Sequence, residues 1–454
     1  MQLISALRRL WRHAAFRRLL TLRILSQAAD GTLQVGMASY ILFSPQSQAS
    51  AWAIAGVLAL TLLPFTVIGP FVSPLLDRWS RRDVALYSDL TRAVLAATIG
   101  VIIATGATTG GWAVVLFGAL LVAMSINRFM LAGLSAGLQH TVEQDEYLTA
   151  SSIVPTVGPI GVVIGAVAGF AARFALGDAL GANRADAMVF GLSAVMFVGS
   201  VLVCRGFHRD ALGPAPVDPA AGGVGSTVVR RRSTTEVVAG LADAARHLRT
   251  RPVALLALLL MAATRLLFGL LSVAVILAAR HLWHPSDRPE LALADLTVWG
   301  LATGAGFILS APVVPVMVRW LGLRRTSIAV LLLGTATSAA LAISSAKPVV
   351  FVTSFFVGLA VQAFKVCVDT IVQSHVEEQY KGRVFTFYDM LFNAAFVTAG
   401  VVAAFVLPTT GLSTAAFLGI GVGYVACAAV LFGAGARLGH ATFERGTEDL
   451  TRAS

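Results

Sequence analysis

Apolar runs of about twenty residues recur along the whole chain, the length at which a helix crosses the ~30 Å hydrocarbon core of a bilayer. Twelve can be read: 20–43, 51–74, 84–105, 112–138, 150–174, 187–206, 253–280, 293–318, 326–346, 349–374, 384–407 and 413–435. Lipid offers no water to open backbone groups, so each run is expected as a helix. Composition agrees. Apolar residues make up 57 % of the 454 residues and charged ones 13 %, against roughly 25 % charged in soluble domains. A soluble fold of this size would lack the polar side chains to cover its surface. No cleaved signal peptide is expected, because the first run is too long and lacks a small-residue cleavage site.

The basic residues orient the helices. With the N-terminus placed in the cytoplasm, 24 of the 34 Lys and Arg fall in cytoplasmic segments and five inside spans; Arg173, Arg184, Arg280, Arg288 and Lys347 fall on the other side. A bias of this size follows the positive-inside rule and predicts both termini in the cytoplasm. It also accounts for the formal charge of +11 without nucleic acid. Arg far outnumbers Lys, and with abundant Ala and Gly this points to a GC-rich genome and a bacterial plasma membrane. Cys204, Cys367 and Cys427 are far apart in apolar stretches, which excludes a disulfide framework and any cysteine metal spacing.

One long hydrophilic break, 207–250, separates six spans from six. It starts Pro- and Gly-rich, carries Arg230-Arg231-Arg232, and then offers Ser233 and Glu236 at capping-box spacing. Val237, Leu241, Ala244 and Leu248 follow on one face of a short amphipathic helix. The halves look related: QHTVEQ (139–144) and QSHVEE (373–378) share an offset of 234, and LLDRWSRR (75–82) has a counterpart in MVRWLGLRR (317–325). The expected fold is therefore an all-α integral membrane protein of twelve transmembrane helices in two pseudo-symmetric six-helix bundles. Residues 1–206 form the first, 207–250 the cytoplasmic linker, and 251–454 the second with a cytoplasmic tail. A parallel repeat of this kind builds one large transporter fold, with substrate bound between the halves.

The most specific motif is PFTVIGPFVSPLLDRWSRRDVALYSDLTRA, 64–93. Its core, Asp77-Arg78-x-x-Arg81-Arg82, resembles the loop between helices 2 and 3 of the major facilitator superfamily. The extension through Asp89 and Arg92 resembles the drug–proton antiporter branch that includes macrolide and enterobactin exporters. EVVAGLADAARHLRTRP before span 7 and VDTIVQSHVEEQYKGRVFTFYD (368–389) are similar to that branch as well. Ser73 and Ser80 stand where the family often has Gly. The resemblance implies a cytoplasmic gate in which Asp77 favours the start of span 11 and Asp389 offers a partner to an Arg of the loop. Asp89 and Arg92, three apart, can pair on one helical face; they are expected in the same gate, since such a pair costs little to break when solvent enters. The plainer reading of Arg78, Arg81 and Arg82 is positive-inside topology alone.

Charges deep in spans are costly and usually face a cavity for a purpose. Asp30 lies near the middle of span 1 and Arg265 is similarly deep in span 7. Their offset of 235 suggests that they face each other. Lys365 and Asp369 are four apart, an intrahelical pair that is either structural or coupling. Arg128 in span 4 is similar to the family's proton-coupling arginine, although NRFMLAG around it matches poorly. Gly158-Pro159, Gly161 and Gly165 in span 5 are similar to the antiporter motif of helix 5; generic close helix packing would use the same glycines.

No enzyme motif survives inspection. Gly133–Gly137 fits G-x-S-x-G but lies inside a span with no strand before it, and there is no P-loop or zinc-binding H-E-x-x-H. No cofactor or metal is expected. The reading is a monomeric secondary transporter, exporting an amphipathic or hydrophobic small molecule against proton influx, with membrane lipid as its surroundings. Asp30 is the first choice for the titrating carboxyl and Asp369 the second, since burial favours the neutral form of a carboxyl. Alternatives are a lipid or siderophore exporter of the same fold, a nutrient importer, and a non-transporting receptor or scaffold.

Overall fold

The computed structural model describes residues 10–43, 50–67, 79–107, 111–143, 147–213, 234–285 and 288–445. Among them the structure is helical throughout: α1 (Ala14–Phe43), α2 (Ala51–Val67), α3 (Arg81–Thr105), α4 (Gly111–Gly137), α5 (Tyr147–Leu180), α6 (Ala182–Arg205), α7 (Thr234–Thr250), α8 (Pro252–His281), α9 (Pro289–Leu321), α10 (Leu323–Ile343), α11 (Lys347–His375), α12 (Glu378–Val406), α13 (Thr414–Leu438) and the short α14 (His440–Phe443). Ten of these are long and apolar enough to cross a membrane. α1 is long enough but carries Arg17, Arg18, Arg23 and Asp30, and α2 contributes a shorter apolar helix, Ala51–Leu63. Asp77, Arg78 and Ser233 lie outside the described residues.

The chain forms two compact units, residues 1–44 with 67–237, and residues 45–66 with 238–454. Within the first, α1 packs on α5 and α6, while α3 packs on α6 and α4. Within the second, α8 packs on α12 and α13, while α10 packs on α13 and α11. These four contacts are the same in both units, in keeping with the repeat read at offsets near 234, while the contact of α9 with α11 in the second has no counterpart in the first. The sequence reading assigns α2 to 1–206; by its contacts it groups with the second unit, where Ala55 lies against Gly400 and Trp52 meets the Phe405 ring edge-on.

Small residues set the closest approaches. A Cβ on Gly165 would land on the backbone carbonyl of Ala28, and one on Gly31 on that of Val162. Gly161 faces the Ile24 carbonyl, 2.8 Å from where its Cβ would be, and Thr32 donates to the Gly165 carbonyl at 2.8 Å. α1 and α5 therefore touch backbone to backbone, as small residues permit when lipid supplies no hydrophobic drive between helices. In the second unit Gly306 and Gly358 bring α9 and α11 together in the same way, each facing a backbone carbonyl of the other helix.

The amphipathic helix expected after Ser233 begins at Thr234. It buries Ala244 and Leu248 within the second unit. Its end is held there by His247 stacked on Tyr380 at 4.2 Å and by Arg251 donating to Glu377 at 2.6 Å. That bond, with one from Gln379, keeps the Glu377 carboxyl below the usual glutamate range.

Candidate functional site: a buried carboxylate–guanidinium triad

Polar residues on α1 recur at the spacing of helical turns. Ser26, Asp30 and Gln34 are four apart on one face, with Gln27 beside them. All but Gln34 are buried. α3 starts cleanly at the cap Ser80, whose hydroxyl accepts from the Asp83 N–H at 3.3 Å. Two turns in, its inward face carries Ser88, Asp89 and Arg92, all buried.

These faces meet. Arg92 donates from Nη2 to Asp30 Oδ1, and from Nη1 to Asp89 Oδ1 at 3.2 Å. Ser26 and Ser200 donate to the two oxygens of Asp89, at 2.9 and 2.5 Å. Gln34 and Asn127 donate to the second oxygen of Asp30, at 2.7 and 3.2 Å, and Gln27 donates to the side-chain oxygen of Asn127 at 3.1 Å. The Arg92 guanidinium lies 4.1 Å above the centre of the Phe197 ring. Arg92 and Asp89 are wholly enclosed and Asp30 is 1 % exposed. Two carboxylates share one guanidinium, so with every group ionised the cluster carries one excess negative charge away from water. One proton makes it neutral.

This placement corrects two expectations. Asp89 and Arg92 were expected at a cytoplasmic gate, as a local pair easily opened by solvent. They stand instead in the dry interior of the first unit, where helical rise carries them more than ~10 Å from the start of α3. Asp30 was expected to answer Arg265; its charge is met by Arg92 within its own unit. The sequence signal for the triad was present in the four-residue spacing of Ser26, Asp30 and Gln34, but nothing in the sequence selects Arg92, Asn127 or Ser200 as their partners.

The remaining candidates are dispersed. Arg81 donates to the Leu212 carbonyl at 3.2 Å, and Arg82 and Arg209 both pair with Asp83, tying the chain after α6 to the start of α3. Beside them a cavity of about 590 Å³ opens between Trp79, Tyr87, Ile126 and Phe129. Asp389 is exposed on α12, and the Arg128 side chain lies outside the described ones. Gly158 faces Arg23, whose Nη1 donates to Ser135 at 3.3 Å, while Pro159 sits inside α5 on its exposed side. Gly161 and Gly165 serve the α1–α5 contact. In the second unit Lys365 donates to Asp369 at 2.7 Å and lies 5.3 Å from the Tyr388 ring centre. Arg265 lies against Phe392. His284 and Lys347 both contact Asp295, at 2.7 and 2.5 Å. Among the described residues no three His, Cys, Asp or Glu are grouped to hold a metal.

A multi-pass helical membrane protein with a repeated wiring and a buried ionic cluster at mid-helix belongs to the class of membrane transporters. Two relatives described as uncharacterized MFS-type transporters, one of Mycobacterium bovis and one of Mycobacterium tuberculosis, are each 33 % identical over 396 residues, covering 87 % of this chain and 86 % of theirs. This chain belongs to the major facilitator superfamily. No protein-family model matches it. Its fold is similar to the nucleoside transporter NupG, with a TM-score of 0.60 at 14 % identity over 92 % of this chain and 98 % of that one. It is also similar to the peptide transporter POT, at 0.63 and 14 % over 95 % and 96 %. The relatives and these neighbours are transporters, not enzymes.

Proposed function

We propose that this protein is a proton-driven exporter of amphipathic or hydrophobic small molecules, of the drug–proton antiporter branch, acting as a monomer in the bacterial plasma membrane. On this reading it has twelve spans with both termini in the cytoplasm, and its two halves, joined by 207–250, rock about a substrate site between them. The observation that carries the coupling is the triad. A cluster that is short of one positive charge in a dry bundle takes up a proton when solvent reaches it and holds it when enclosed. Asp30, with Gln34 and Asn127 as neutral donors, is the carboxyl that carries the proton. Asp89, fixed by Arg92, Ser26 and Ser200, stays ionised as its counter-charge. Asp77, Arg78, Arg81, Arg82 and Asp389 form the cytoplasmic gate, and Asp369 is the reserve coupling group in the second half.

The test uses purified protein in proteoliposomes with an imposed pH gradient and a panel of amphipathic dyes and drugs. Wild type should accumulate a panel member on the acidic side, against its own gradient. Asp30→Asn should abolish that accumulation while retaining exchange of labelled for unlabelled substrate across the bilayer. Pumping by Asp30→Asn at the wild-type rate would remove Asp30 from the mechanism. Gradient-driven movement in the opposite sense would make the protein an importer.

A further inference from the structure

Arg265 is placed differently from the other charged groups inside the helices. It lies near the midpoint of α8, and its guanidinium sits 3.7 Å above the centre of the Phe392 ring, with Phe268 and Phe396 at 5.4 and 5.5 Å. It makes no hydrogen bond or ion pair with any described residue, and its Nε is buried without a partner. Arg92, by contrast, is met by two carboxylates, and Lys365 by one. Lys365 donates to Oδ2 of Asp369, and no hydrogen bond or ion pair joins that carboxylate to Arg265.

The rings leave the cation unsatisfied. A guanidinium lying over an aromatic face gains from the ring quadrupole, but its five N–H donors lie in its own plane and a ring face offers them no acceptor in that plane. The Arg265 Nε is buried without an acceptor among the described residues, and buried donors almost always find a partner. The acceptor that fits such a fork is a planar or tetrahedral oxyanion, which a guanidinium binds with two parallel N–H donors. The surroundings define the rest of the ligand. Phe268 is 5.9 Å from Phe396, 6.1 Å from Phe307 and 6.5 Å from Trp299, centre to centre. That is a continuous aromatic wall next to one cation.

We propose that Arg265 and its aromatic wall form the anion-recognition subsite for the transported compound, which carries a carboxylate, sulfonate or phosphate on an aromatic or broad apolar body. This deepens the exporter reading and rests on it for the role of the ligand, though not for its binding. A neutral or cationic amphiphile would leave Arg265 unpaired and is discriminated against.

Binding of naphthoate, its neutral isostere naphthamide and naphthylmethylammonium is measured by calorimetry on the full chain in lipid nanodiscs, with no pH gradient. Wild type should bind naphthoate at least tenfold more tightly than the other two. Arg265→Gln should erase that preference, Arg265→Lys should lose affinity severalfold because the fork is gone, and Phe392→Leu should weaken naphthoate and naphthamide alike. If Arg265→Gln does not fold, Arg265→Lys decides. Equal binding of naphthoate and naphthamide by wild type, absence of naphthoate binding, or an unchanged naphthoate affinity in the decisive variant overturns the proposal. Wild type that binds naphthoate selectively but moves no compound in proteoliposomes refutes the exporter reading and leaves the anion subsite standing.

Discussion

Removing the cation from the triad and removing one of its carboxylates have opposite consequences. Arg92→Met takes away the charge shared by Asp30 and Asp89 and leaves two enclosed carboxylates without a counter-ion. Breaking a buried pair in this way costs roughly 3–5 kcal/mol, because the surviving charge is neither hydrated nor paired. Asp30→Asn instead leaves Arg92 and Asp89 as a balanced one-to-one pair, and the Asn carbonyl still accepts from Arg92 or Gln34. What changes is a charged hydrogen bond for a neutral one, about 1 kcal/mol, offset by the loss of the excess negative charge. The expected order of apparent melting temperature in detergent is wild type close to Asp30→Asn, with Arg92→Met far below. The triple variant Arg92→Met, Asp30→Asn, Asp89→Asn should recover much of the loss, since it buries no net charge. An Arg92→Met protein that melts with wild type would show that the triad is not a dry ionic cluster. An Asp30→Asn protein that falls as far as Arg92→Met would refute the charge count on which the coupling site is built.

Four further outcomes are expected. Gly165→Ala should lower the melting temperature, by a loss on the order of 1–3 kcal/mol, because the methyl meets the Ala28 backbone rather than a side chain that can turn away. Gly118→Ala, with open space at its Cβ, should be tolerated in the same assay. His140, in the turn after α4, is held below its ordinary value of 6.5 by partial burial and by the nearby Arg81 guanidinium. Its folded form therefore resists protonation, so stability should fall as pH drops from 7 through 6.5 and below, and a pH series on His140→Gln should show a flatter loss. Single cysteines near 220 and 445, introduced into a Cys-free background, should react only with permeant maleimides, while those near 180 and 288 react from outside. Labelling of position 220 from outside intact cells would reverse the topology.

Much of the architecture follows from one-dimensional regularities. Run length sets which segments can cross a bilayer, and repeat offsets near 234 foretell the contacts that the two units share. The amphipathic pattern that ends at Leu248 foretells α7, and Gly161 and Gly165 foretell a close helix contact on α5, though not that α1 makes it. Each depends on period, length or the absence of a side chain, which are local properties of the chain. Partnership is different. Asp89 and Arg92 were legible as an i, i+3 pair, yet their surroundings depend on α1, α4 and α6 closing over them, with Ser26 and Ser200 reaching Asp89 from 63 and 111 residues away and Asn127 reaching Asp30 from 97. Whether a charge pair stands in water or out of it reverses its energetics, and only packing decides that. Asp30 was legible as an expensive intramembrane carboxyl, but its counter-ion was misassigned because a repeat offset relates equivalent positions, not contacting ones. Arg265 was legible as a cation deep in a span. That it lies against phenyl rings with no acceptor is a fact of three dimensions, set by the turn of α12 that presents Phe392 and Phe396 to α8.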